Sequence, residues 1–162
     1  MSKLLNREDV IHFVVRKCLM EQGWKLVAGE YPDGSDDQLH SLRVMDPVFA
    51  KDDSPDNRRH SINKLIPDLV TYKDSEFLII EMKPKYDKGD ELKLEKLLGE
   101  RILDFKSCLK EFIHRYMLGE KIDIDLSTFT PCLGFSNGDY PRKDGFAYIV
   151  VNDLDSITLK RN

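Results

Sequence analysis

Two apolar segments separated by a short polar turn constrain the fold of this chain most strongly. Residues 65–72 and 77–83 are rich in apolar and β-branched side chains, and four polar residues, 73–76, lie between them. This pattern predicts an antiparallel β-hairpin. Both faces of the hairpin are apolar, so we expect helices or loops to cover it on both sides. The chain should therefore fold as a layered α/β domain around this hairpin.

The turn also predicts which residues face each other across the hairpin. If Tyr72 and Phe77 flank the turn as a pair, Asp68 lies directly opposite Glu81, with Cβ atoms about 4.5–5.5 Å apart. Lys83 should lie on the same face, because side chains alternate along a strand. Two opposed carboxylates repel each other, and burial raises the cost, so a divalent cation between them is expected. Mg²⁺ prefers such oxygen ligands, and the lysine could act on a metal-bound water or on transition-state charge.

The remaining pattern predicts one domain over residues 1–162. The predicted elements are a helix over 7–22, a strand over 24–28, the hairpin, a long helix over 91–118, and strands over 128–135 and 146–151. The intervening residues 29–64 contain one possible strand near 39–45 and a long connection over 46–63. This order is typical of a mixed sheet with helices packed on it.

Composition excludes several functional classes. The net charge is −4, so a surface that binds nucleic acid would have to be a local basic patch or depend on a bound metal. Cys18, Cys108 and Cys132 form no zinc-binding or disulfide pattern, which favours a reduced, cytoplasmic protein. No apolar run is long enough to span a membrane. No phosphate-binding or dinucleotide-binding loop is present, so no nucleotide cofactor is expected.

The hairpin motif resembles a known nuclease signature. Pro67-Asp68, twelve further residues and Glu81-Met82-Lys83 resemble the PD-(D/E)xK motif of restriction-endonuclease-like nucleases, in particular the N-terminal nuclease domains of type I restriction enzymes. The resemblance implies a central mixed β-sheet that carries a catalytic hairpin between flanking helices. It also implies Mg²⁺-dependent hydrolysis of DNA, with Mn²⁺ able to substitute. Asp68 and Glu81 would bind the metal together with the backbone carbonyl of Met82, and Lys83 would be the catalytic lysine.

Further acidic residues are candidates for the same site. Many nucleases of this kind add an acidic residue from the first helix, which suggests Glu8, with Glu21 as a second candidate. Alternatively, Glu8 only complements the helix dipole. The acidic residues after the first strand could approach the site or remain solvated; they are Glu30, Asp33, Asp36 and Asp37.

Basic residues upstream of Asp68 are candidates for DNA binding. Arg58, Arg59 and Lys64 could contact phosphates and position DNA over the metal. Alternatively, nearby aspartates balance their charge in a solvated loop. His12, His40 and His114 are isolated in the sequence, so no histidine nucleophile and no HNH-type site is expected.

Two functions fit these observations. The first is a Mg²⁺-dependent DNA endonuclease in restriction, repair or mobile-element defence, acting as a homodimer or with a partner subunit. The alternative is a catalytically weak nuclease-fold module that binds nucleic acid or a partner protein. The acidic net charge favours the alternative. So does the absence from the long helix of a Gln-xxx-Tyr motif found in one branch of the family.

Overall fold

A six-stranded mixed β-sheet forms the centre of the protein. The structure is a computed structural model and describes residues 3–30, 39–42, 44–45 and 64–161. The strands are β1 (Lys25–Gly29), β2 (Val44–Met45), β3 (Lys64–Leu65), β4 (Leu69–Lys73), β5 (Glu76–Met82), β6 (Thr128–Phe135), β7 (Ala147–Asp153) and β8 (Ser156–Arg161). The α-helices of the described residues are α1 (Glu8–Glu21), α2 (Lys88–Leu98) and α3 (Ile102–Tyr116), and a 3₁₀ turn (Leu4–Asn6) precedes α1.

The sheet has the order β1-β4-β5-β6-β7-β8, and β2 and β3 form a separate two-stranded ribbon. The β5–β6 and β6–β7 pairs are parallel, whereas the β1–β4, β4–β5 and β7–β8 pairs are antiparallel. The helical segment between β5 and β6 is the crossover that parallel pairing requires. The fold is therefore α/β, with a mixed sheet as predicted.

Helices cover both faces of the hairpin formed by β4 and β5. On one face, Leu78 and Ile80 pack in a core with residues of α1, such as Val14. On the other face, Phe77 and Ile79 pack in a second core with residues of α2 and α3. The alternation of side chains along β5 thus divides the apolar residues between two cores. The prediction that the hairpin is covered on both sides is confirmed.

The predicted register of the hairpin is also confirmed, although the turn is shorter than expected. Tyr72 pairs with Phe77, as predicted, and Lys73 pairs with Glu76. Only Asp74 and Ser75 form the turn, with φ values of 50° and 63°. Positive φ at both central residues matches the backbone twist of the strands in two-residue hairpins.

The predicted long helix is in fact two helices, α2 and α3. The break comes at Gly99, where an added Cβ would lie 2.6 Å from the carbonyl oxygen of Glu95. The sequence suggested a bend at this glycine, and the structure shows an interruption there. Strand β8 was not predicted, since its alternating polar and apolar residues are mostly half-buried or exposed. None of the helices in the described ranges is long and apolar enough to cross a membrane.

The turn leads to a prediction about stability. Ser75 has φ 63°, a conformation that costs a residue with a Cβ about 1–2 kcal/mol. Ser75→Gly should raise the free energy of unfolding by about 0.5 kcal/mol, because relief of this strain exceeds the entropic cost of glycine. Urea denaturation measures the change. Ser75→Ala is the control, since alanine is as strained as serine there; an equal gain in that variant would contradict the explanation.

Candidate functional site

The carboxylate of Asp68 lies at the end of the hairpin, where β4 begins and β5 ends. Its Oδ2 accepts a hydrogen bond of 2.9 Å from the backbone N–H of Met82. The last pair of the ladder is Leu69 with Ile80, so one further step along the same register places Asp68 opposite Glu81. The two carboxylates therefore occupy neighbouring positions at one end of the sheet.

Glu81 is the most deeply buried carboxylate of this group. Its side chain is 3% exposed and contacts the ammonium group of Lys93, which projects from α2. Burial raises the pKa of Glu81 well above its ordinary value, and the negative charge of Asp68 raises it further. Lys93 also donates a hydrogen bond to the carbonyl oxygen of Ile66, just before β4. This lysine offsets part of the carboxylate charge, and sequence analysis did not identify it.

Lys83 binds two carboxylates at the start of α2. Its Nζ lies 2.7 Å from Oδ2 of Asp87 and 3.5 Å from Oδ1 of Asp90. The hydrogen bond that Lys83 donates to Asp87 raises the pKa of Lys83, so the side chain is a cation at neutral pH. Asp87 also caps the helix, accepting a 2.7 Å hydrogen bond from the backbone N–H of Gly89. Sequence analysis placed Lys83 beside Glu81, whereas its ion pairs within the described residues are with these two aspartates.

Asp90 is a second acidic residue that sequence analysis missed. Its side chain is 14% exposed. Burial raises its pKa to about 6, although the positive charge of Lys83 opposes the shift. Asp90 and Lys93 are three residues apart on α2, so they share the helix face that packs against the end of the hairpin. The three-residue spacing of Asp90 and Lys93 was the signal in the sequence that could have identified Asp90. The same spacing also occurs in an ion pair elsewhere on the helix.

Glu8 and His12 approach Asp68 from the first two turns of α1. Nε2 of His12 lies 3.8 Å from Oδ2 of Asp68 and 3.9 Å from Oε1 of Glu8. One possible ligand atom from each of the three residues lies within 4.8 Å of the others, so the group could hold a metal ion. Partial burial raises the pKa of Glu8, and Asp68 adds to the shift. The structure thus brings the predicted helix residue, Glu8, to the hairpin.

His12, which is isolated from the other histidines in the sequence, lies beside Asp68 and Glu8 in the structure. Its side chain is fully buried, and its Nε2 lies within 4 Å of a carboxylate oxygen of both Glu8 and Asp68. Burial lowers the pKa of His12, although the charge of Asp68 opposes this shift. The imidazole is therefore neutral near pH 7, which is the form that binds metals. The four-residue spacing from Glu8 was a signal in the sequence, since it places both side chains on one helix face.

The structure brings some of the other predicted residues to the site and not others. The backbone N–H of Glu30 donates a 2.9 Å hydrogen bond to the carbonyl of Asp68, so Glu30 adjoins the site. Glu21 ends α1, about 20 Å from Glu8 along the helix axis, and takes no part. Lys64 forms part of β3, but its side chain is not described. Arg58 and Arg59, like Asp33, Asp36 and Asp37, lie outside the described residues, so their roles stay predictions.

The assembled groups have the chemistry of a divalent-cation site. Ligand atoms of Glu8, His12 and Asp68 lie within 4.8 Å of one another. Glu81 lies beside Asp68 outside this group, where it contacts Lys93. Mg²⁺ and Mn²⁺ accept oxygen ligands, and Mn²⁺ also accepts an imidazole. Burial and the charge of Asp68 raise the pKa of Glu81, and Lys93 opposes this shift. The residues present therefore fit a divalent metal ion.

Comparison with known proteins returned no relative. No family model, no curated protein and no solved structure matches this chain. Function must therefore be inferred from the chemistry of the site.

The two aspartates that hold Lys83 should respond oppositely to pH. The pKa of Asp90 is raised from 3.8 to about 6, so the folded protein binds more protons than the unfolded chain between these values. Asp90 therefore lowers the free energy of unfolding progressively as pH rises through this window. Asp90→Asn should gain about 1–2 kcal/mol relative to wild type between about pH 4 and about pH 7, less than the full shift implies because solvent screens the side chain.

Asp87 is the matched control, because interaction with Lys83 lowers its pKa. Its charge stabilises the folded state above about pH 4 and loses that effect in acid. Asp87→Asn keeps a good helix cap but should be less stable than wild type at neutral pH, with the difference shrinking as pH falls. Urea denaturation from about pH 3 to 7 measures both variants. Parallel pH responses of the two variants would contradict these assignments.

Proposed function

We propose that this protein is a divalent-metal-dependent phosphodiester hydrolase with a restriction-endonuclease-like core. More particularly, we propose that it is a nuclease that cleaves DNA with Mg²⁺, or with Mn²⁺ in its place. The observation that carries the proposal is the convergence of Glu8 and His12 on Asp68, at the end of the hairpin where Glu81 is buried. The Pro67-Asp68 and Glu81-Met82-Lys83 motif supports it, because Asp68 accepts a hydrogen bond from the backbone N–H of Met82 and lies opposite Glu81 in the register of the hairpin.

The proposed metal ligands come from the hairpin and from α1. Asp68 and Glu81 would hold the ion from the hairpin, and Glu8 and His12 would hold it from α1. The backbone carbonyl of Met82 stays a predicted further ligand. The bound ion supplies Lewis-acid activation of a water molecule and of the phosphate. The hydrogen bond that Asp68 accepts from the backbone N–H of Met82 orients this carboxylate in the metal-free protein.

Lys83 acts as a fixed positive charge in this proposal. Its pKa is raised, so proton abstraction by a neutral lysine is disfavoured. Stabilisation of negative charge that develops on the scissile phosphate fits a permanently protonated ammonium group. Asp87 and Asp90 hold the group in place, with Nζ to carboxylate distances of 2.7 and 3.5 Å. The two aspartates are therefore positioning residues for Lys83.

Lys93 favours the alternative, a nuclease-fold module that binds nucleic acid or protein without efficient catalysis. Its ammonium contacts Glu81 and supplies positive charge that a metal ion would otherwise supply. A metal must displace this contact, or share the carboxylate with it, before Glu81 can become a ligand. The two functions thus differ in whether a divalent ion competes successfully with Lys93.

Metal binding in solution distinguishes the two candidate functions. A ligand specific for the folded protein stabilises it by about 2.7 kcal/mol at a concentration of 100 Kd, so saturating Mn²⁺ should raise the melting temperature by roughly 5–10 °C. Asp68→Asn and Glu81→Gln should abolish the increase. Glu21→Gln, at the far end of α1, should keep it.

The same melting assay tests whether a divalent ion competes with Lys93 for Glu81. Lys93→Met should melt below wild type without metal, because Glu81 is left buried without its cation. With Mn²⁺ its increase in melting temperature should exceed that of wild type. A wild-type melting temperature indifferent to Mn²⁺ and Mg²⁺ would remove the metal site from the proposal.

Lys83→Met tests catalysis separately from metal binding. The substitution keeps an unbranched side chain and removes the ammonium group, so the protein should fold and retain the response to Mn²⁺. Loss of a preorganised charge in the transition state should reduce cleavage of plasmid and single-stranded DNA about 10²–10³-fold. Lys110→Met is the matched control. Lys110 lies on α3, away from the site, and forms an exposed ion pair with Asp125.

Two results would decide against a nuclease. If wild type binds Mn²⁺ but cleaves no DNA substrate, alone or with a co-purifying protein, the binding module is the better description. If Lys83→Met cleaves as fast as wild type, Lys83 is not the catalytic lysine.

A further inference from the structure

A cavity of about 480 Å³ opens directly beside Lys83, on the side where α2 begins. Its lining residues come from the turn before α1 and from the loop between β5 and α2; they are Asn6, Lys83, Pro84, Lys85, Tyr86 and Asp87. This volume lies within the range of small-ligand pockets. Because Lys83 belongs to both the cavity and the proposed active site, a ligand in the cavity would lie next to the reacting phosphate.

Hydrogen bonds join the walls of the cavity into one unit. The carbonyl of Pro84 accepts hydrogen bonds from the backbone N–H groups of Ser136 and Asn137, at 3.1 and 2.9 Å. Lys85 forms an isolated parallel bridge with Asn137. The side-chain amide of Asn137 donates a 2.6 Å hydrogen bond to Oδ1 of Asn6. The loop is thus tied to the end of β6 and to the start of α1, which makes the cavity a preformed feature.

Lys85 supplies a positive charge to this cavity. Its side chain is exposed, and no carboxylate pairs with it within the part of the chain that the structure describes. In contrast, Lys83 is paired with Asp87 and Asp90, and Lys93 with Glu81. An exposed ammonium without a competing carboxylate is suited to a phosphate group.

Tyr86 supplies an aromatic wall. Its ring lines the cavity and packs partly against the core between the sheet and the helices α2 and α3. The hydroxyl group is buried near Glu91, and this burial, aided by the negative charge of Glu91, raises the pKa of Tyr86. Burial of the hydroxyl end and packing against the core hold the edge of the ring in the protein. A fixed aromatic ring beside a lysine is the combination on which unpaired bases stack in proteins that bind single strands.

We propose that this cavity is a nucleotide subsite that receives the unpaired nucleotide next to the scissile phosphodiester. Lys85 binds the phosphate of that nucleotide, and the ring of Tyr86 stacks on its base. The inference rests on the proposed nuclease function and deepens it, because a base can reach Tyr86 only when it is not stacked in a duplex. The substrate class is therefore single-stranded DNA, or a single-stranded end or flap.

Binding of a mononucleotide tests the subsite without catalysis. Wild-type protein, free of metal, is titrated with deoxyadenosine 5′-monophosphate, and the amide signals are followed by heteronuclear NMR. The signals of Asn6, Lys85, Tyr86 and Asn137 should shift together with a single dissociation constant. Inorganic phosphate should bind the same amides at least tenfold more weakly, because it lacks a base. Equal affinities of the two probes, or shifts that avoid these residues, would overturn the proposal.

Three variants assign the two interactions. Lys85→Met should weaken nucleotide binding about tenfold, the loss typical of one charged hydrogen bond. Tyr86→Leu should weaken it by a similar factor through loss of stacking, whereas Tyr86→Phe, which keeps the ring, should restore most of the affinity. Lys85 is exposed, so its variant remains informative even if Tyr86→Leu fails to fold. Unchanged affinity in Lys85→Met would overturn the assignment of the phosphate contact and with it the subsite.

The test of the nucleotide subsite and the test of the nuclease function can fail independently of each other. If wild type cleaves DNA with Mg²⁺ but the nucleotide does not bind in the cavity, the subsite is wrong and the nuclease proposal stands. If the nucleotide binds as described but no DNA is cleaved, the subsite stands and the nuclease proposal is wrong. When both hold, wild type should cleave a single-stranded oligonucleotide at least tenfold faster than its duplex, and Tyr86→Leu should lose most of this preference.

Discussion

Burial of a carboxylate at the end of a central strand is expensive, and Glu81 is 3% exposed. A carboxylate removed from water must be protonated, paired with a cation or bound to a metal. In this protein Lys93 reaches the carboxylate from α2, and Asp68 lies at the opposing position on the hairpin. Lys93 can reach Glu81 because α2 packs on the face of the sheet that carries this carboxylate.

A single ammonium group balances only one of the negative charges collected here. Glu8, Asp68 and Glu81 come from three different elements, and Lys83 is already engaged by Asp87 and Asp90. If a divalent ion binds as proposed, it is an alternative to Lys93 as a source of positive charge for Glu81, and its two charges would offset more repulsion than one. Under the proposed function, Lys93 keeps the empty site folded.

The site contains more carboxylates than ammonium groups, and the protein as a whole carries a charge of −4. Long-range attraction of a polyanion is weak for such a chain, so substrate binding must depend on short-range contacts. The proposed nucleotide subsite supplies two such contacts, a lysine without a carboxylate partner among the described residues and an anchored aromatic ring. Both lie in the loop that also carries Lys83, so recognition and catalysis would share one rigid segment.

The amino-acid sequence by itself determined the hairpin and the opposition of Asp68 and Glu81. Alternation of side chains and a short turn are local properties, and the pairing of Tyr72 with Phe77 confirms their predictive value. The tertiary structure alone decided that His12 meets Asp68, that Lys93 compensates Glu81 and that Lys83 is held by aspartates of α2. These contacts join elements far apart in the chain, and their geometry depends on how α1 and α2 pack on the two apolar faces of the sheet. Periodicity predicts that a helix has a buried face, but the depth and rotation at which it packs are set by the close fit of core side chains.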